Sequence, residues 1–88
     1  MNTVRIDLTR LRTQREALKR FEQLSGMPEN YTGELEELHE LLCQWQEPVK
    51  IEMVIGGNLG PFSALMEMLE DARMANDRLL FVVIMNMQ

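Results

Sequence analysis

The 88-residue chain has one cysteine, Cys43, and one histidine, His39. A single thiol cannot close an internal disulfide, so the chain needs no oxidising compartment. A single histidine leaves the usual zinc ligand sets incomplete. No nucleophile, base and orienting group stand at a recognisable spacing, so neither catalysis nor a cofactor is expected. Long apolar runs are also missing. The longest, Leu79 to Met85, falls far short of the roughly 20 residues that cross a bilayer. Near the start, Val4, Ile6 and Leu8 alternate with polar residues instead of forming the apolar stretch of a signal peptide. These features predict a cytoplasmic protein that does not engage a membrane. Positive charge is absent from one stretch: residues 21–47 hold seven glutamates and no lysine or arginine.

What is present suffices for one folded unit. Hydrophobic residues make up 45% and charged residues 26% of the chain, a balance that predicts a single globular domain over residues 1–88. The net charge of −5 is unevenly placed. Arg5, Arg10, Arg12, Arg15, Lys19 and Arg20 crowd the first twenty residues, against Asp7 and Glu16. The acidic stretch that follows projects a negative field, which repels nucleic acid and favours a basic partner protein. The early arginines have no aromatic residues among them to stack bases, so they read as a solvated face.

Val4 to Leu8 alternates with the period of a strand. Thr13 and Glu16 have the spacing of a capping box, which opens a helix over about 13–25. Gly26 and Pro28 stop it, and Met27 to Gly33 is a tight connection. A second helix over about 34–44 carries Leu35, Leu38, Leu41 and Leu42 on one stripe, with Glu36, His39 and Glu40 on the other side. Glu34, Glu36 and Glu37 suit a helix N-terminus, but four carboxylates within seven residues repel one another, and helix stability alone does not account for them. Val49 to Ile55 is a second alternating strand. Gly56-Gly57-Asn58-Leu59-Gly60 is a connector, and Pro61 opens a third helix over about 61–75. Asn76-Asp77 is a turn. Leu79 to Met85, nearly all apolar, reads as a strand covered on both faces. Strands joined through helices predict an α/β fold with a three-stranded parallel sheet and packed helices.

Each candidate has a plain alternative. Glu36 and Glu40 can be solvated carboxylates, and a paired-carboxylate acid/base site lacks an enclosed pocket. His39 can be a surface or interface residue, and a general base or metal ligand lacks companions. Tyr31 either closes its loop against a helix or touches a partner. Trp45 is expected in the core and Cys43 partly buried and inert. The glycine connector lacks the Lys-Ser/Thr of a phosphate loop. The methionines, among them Met66, Met68, Met85 and Met87, read as adaptable packing.

Met27-Pro28-Glu29-Asn30-Tyr31, then Leu35-Glu36-Glu37-Leu38-His39-Glu40, and Leu42, Trp45, Glu47 and Pro48 together resemble the barstar family of intracellular bacterial ribonuclease inhibitors. The likeness is densest over residues 27–53. It implies a barstar-like fold and an immunity function: an acidic helix and its preceding loop plug the active site of a ribonuclease or similar basic toxin, with carboxylates in place of RNA phosphates. By position it assigns Asn30 and Glu36 to the near side of the contact, Glu40 to its deepest point and Asp71 to its periphery. It places His39 where the family has tryptophan. Asn30 stands for a tyrosine, Glu36 and Glu40 stand for aspartates, and the connector at 55–61 is shorter. The alternative reading is an acidic adaptor or regulatory domain that binds a basic protein other than a nuclease.

Overall fold

Strands β1 (Asn2–Asp7), β2 (Val49–Ile55) and β3 (Leu79–Met85) form one sheet in the computed structural model, which describes residues 2–57 and 59–86. Asn58 of the connector and Met87 lie outside the described residues. Both pairings are parallel, and the strand order is β1-β2-β3. Val4, Ile51 and Phe81 stand in register, as do Ile6, Met53 and Val83. Alternation then sorts the side chains by face. Val49, Ile51, Met53 and Ile55 point into a core shared with all three helices. Lys50 and Glu52 point the other way and pair at 3.5 Å. Ile51 and Met53 are fully buried at the sheet centre, where each contributes about 2 kcal/mol of burial.

The helices form one layer on the core side. Helix α1 (Gln14–Arg20) begins at the predicted capping box: Thr13 Oγ1 accepts from the Glu16 N–H at 3.2 Å, and the Glu16 carboxylate accepts from the Thr13 N–H at 3.1 Å. The helix is shorter than its apolar spacing predicts. It tightens into a 3-10 turn at Phe21–Gln23, which still buries Phe21 and Leu24. Gly26 then takes φ of +95°, a left-handed value that favours glycine. Helix α2 (Leu35–Cys43) keeps its predicted stripe, with Leu38 and Leu42 fully buried. Helix α3 (Ser63–Ala75) follows a 3-10 turn at Gly60–Phe62 that accommodates Pro61.

Two expectations change. Asn76 is more than a turn residue: it is 6% exposed and uses its whole side chain. Its Nδ2 donates to the carbonyls of Leu42 (2.9 Å) and Trp45 (3.0 Å), while its Oδ1 accepts from the Arg78 N–H (3.1 Å). One side chain thus fastens the end of α2 to the start of β3. Strand β3 has the predicted limits but is not covered on both faces. The helices pack on one side only, so Leu80 on the other face is 47% exposed, while Val83 and Met85, on the same face as Met53 and Ile55 but on the edge strand, are 43% and 60% exposed. Among the described residues no helix is long and apolar enough to cross a membrane.

Candidate functional site

Helices α2 and α3 pack side by side and leave an open groove between them. Leu35, Ala64 and Met68 give it apolar surface. Glu36 and His39 from α2, with Glu67 and Asp71 from α3, supply the polar groups. The helical repeat explains the convergence. Residues 36 and 39 stand three apart on α2, and 64, 67 and 71 recur at intervals of three and four on α3, so each set forms one stripe. Lysine and arginine are absent from the lining.

His39 joins the two stripes. Its Nε2 lies 3.1 Å from Asp71 Oδ2 and 3.5 Å from Cys43 Sγ. An ionised carboxylate only accepts, so the Asp71 contact requires a proton on Nε2. A relay from thiol through imidazole to carboxylate needs the two partners on opposite ring nitrogens. Here both address the same atom, so the arrangement positions His39 and does not activate Cys43. Among the described residues no group of three or more His, Cys, Asp or Glu side chains could hold a metal ion.

Three of the sequence-derived candidates, Glu36, His39 and Asp71, meet in this groove. Glu40 is exposed one turn further along α2, outside the lining. Among the described residues neither Glu36 nor Glu40 makes an ion pair; the pairs that Arg10, Lys50 and Arg73 make are with Asp7, Glu52 and Glu70. The carboxylates on the outer side of α2 therefore keep their charge unneutralised. Asn30 is exposed in the loop before α2. Tyr31 is 8% exposed, and its hydroxyl donates to the Leu18 carbonyl at 2.6 Å, which closes the loop against α1. Glu37 secures the same loop from the other end: its carboxylate accepts from the Thr32 N–H and hydroxyl, both at 2.9 Å. These bonds, the backbone one foremost, hold the Glu37 carboxyl below the usual carboxylate range. Gly33, buried with φ of +83°, completes the turn into the helix.

Glu67 is the site residue that sequence reading missed. Its spacing of four from Asp71 is visible in the chain, but only the packing of α3 against α2 shows that this stripe faces His39. A second concavity on the surface of α1, lined by Glu16, Lys19, Arg20, Glu22 and Gln23, mixes both signs of charge and holds none of the candidates. No family model matches the chain, and no curated protein matches it significantly.

Proposed function

We propose that the chain is a protein inhibitor of the barstar type, which presents the outer side of α2 and the α2–α3 groove to the cationic active site of a ribonuclease or similar basic toxin. One observation carries the reading: Glu36, Glu67 and Asp71 surround a groove lined by no lysine or arginine, with Glu40 exposed beside it. A nuclease site is cationic because it binds phosphate, and fixed carboxylates complement it through charge-assisted hydrogen bonds. The apolar surface of Leu35, Ala64 and Met68 can take the alkyl stem of a partner arginine or lysine while its head meets the carboxylates. In this reading Tyr31 serves by holding the loop before α2 against α1, and the exposed Asn30 of that loop contributes to the contact.

The test is titration of the purified chain against small basic ribonucleases at low and high salt, with inhibition of RNA cleavage as the readout. Glu36→Gln and Asp71→Asn should each weaken inhibition at least about tenfold at low salt, and less at high salt. Glu22→Gln, away from the groove, should leave it unchanged. Equal effects of all three substitutions would refute the assigned surface. Tight, salt-dependent capture of a basic protein without nuclease activity would favour an acidic adaptor.

A further inference from the structure

The apolar edge of the sheet calls for an occupant. Strand β3 runs from Leu79 to Met85 without a charge, a proline or a glycine. The opposite edge, β1, carries Arg5 and Asp7, the usual protection against edge-to-edge association. We propose that β3 pairs antiparallel with β3 of a second copy of this chain, about a twofold axis at Val82, joining the two sheets into one.

Backbone direction makes this pairing available. The Asn86 N–H donates to Ile55 and the Val49 N–H to the Arg78 carbonyl, so the even-numbered residues of β3 turn their peptide groups toward β2. Phe81, Val83 and Met85 consequently aim theirs at the open side. With the axis at Val82, Phe81 faces Val83 of the second copy in a hydrogen-bonded pair, and Leu79 faces Met85. The Leu79 N–H already donates to Asn76, which leaves about six new backbone bonds across the seam.

Side-chain chemistry favours a second copy and selects the register. In this register Leu80 meets Ile84, Val82 meets itself, and Arg78 meets the neutral Asn86. Moving the axis to Phe81 sets Arg78 against Ile84; moving it to Val83 sets Leu80 against Asn86. Only the Val82 axis pairs every residue of the strand with an apolar one. Two chains of net charge −5 repel over most approaches, and the uncharged edge is where that repulsion is weakest. The seam is about 23 Å long, a contact of the small and weak class.

Sedimentation of the full chain over about 10 µM to 1 mM should show the mass rising from 10.3 kDa toward twice that value. Val83→Lys and Leu80→Lys, both at exposed positions, should remain folded by circular dichroism and monomeric throughout. Disulfide trapping locates the axis independently of those variants. Cys43→Ser/Val82→Cys should form a covalent dimer, because directly opposed residues of a non-hydrogen-bonded pair lie about 4.5 Å apart. Cys43→Ser/Leu80→Cys should do so at least tenfold more slowly. A monomer at every concentration, a dimer that survives both lysine variants, equal trapping at 80 and 82, or open-ended assembly would each overturn the proposal. So would a monomer whose β3 amides respond only to an added apolar peptide, since the edge would then serve a different protein.

Discussion

Replacing Asn76 with alanine removes three hydrogen bonds at once: those to the Leu42 and Trp45 carbonyls and that from the Arg78 N–H. A neutral bond is worth about 1 kcal/mol net, and a buried group left without a partner costs about 1–3 kcal/mol. The bond to the Leu42 carbonyl is fully buried, but that oxygen keeps the Trp45 N–H at 3.2 Å. It is the part-buried Trp45 carbonyl and Arg78 N–H that lose the Asn76 side chain without a comparable replacement. The expected loss is about 2–4 kcal/mol, which lowers the melting temperature by roughly 10–25 °C for a domain of this size. Equilibrium urea unfolding followed by circular dichroism measures it directly. Asn76→Asp separates hydrogen bonding from shape. It keeps the acceptor for Arg78 but points a carboxylate at two carbonyl oxygens, so at neutral pH it should be at least as unstable as the alanine variant. A loss below about 0.5 kcal/mol for Asn76→Ala, or wild-type stability for Asn76→Asp, would show that these bonds do not hold the α2–β3 junction.

Burial, helped by the Glu37 and Glu22 carboxylates, pushes the Tyr31 phenol above its ordinary value of 10.0. Below that pH both states keep the proton and stability does not depend on it; above it the unfolded chain ionises first, so stability should fall by up to about 1.4 kcal/mol per pH unit. Tyr31→Phe should abolish that alkaline slope and cost about 1 kcal/mol at neutral pH, and an unchanged slope in alkaline urea titrations would count against it. The Glu37 carboxyl is depressed from 4.5 in the folded state, so its hold on the loop is present above that pH and is lost as the pH falls through the folded value. Amide exchange at Thr32, corrected for intrinsic rates, should lose protection over that acid range in the wild type and lack the transition in Glu37→Gln.

The alternation of Val49 to Ile55, the Thr13/Glu16 box and the leucine stripe of α2 are local signals, and the structure follows each of them. The extent of β3 was legible for the same reason, but its exposure was not. An uninterrupted apolar run reads as buried strand whether it is central or at an edge, because strand order is settled by crossovers distant in sequence. Asn76 looked like an ordinary turn former, since its side-chain partners, Leu42 and Trp45, lie more than thirty residues away. The groove was half visible. Glu36 and His39 are neighbours on one helix, but their meeting with Glu67 and Asp71 depends on how α3 rotates against α2.

The strands follow one another across the sheet in the order of the chain, β1-β2-β3, and the path never doubles back. In open α/β sheets that do reverse, the helices on either side of the reversal diverge, and the cleft at the strand ends houses nucleotides and other small ligands. A sheet wound in one direction opens no such cleft. What this architecture leaves accessible is its outside: a ridged helical surface on one side and a bare strand at the rim.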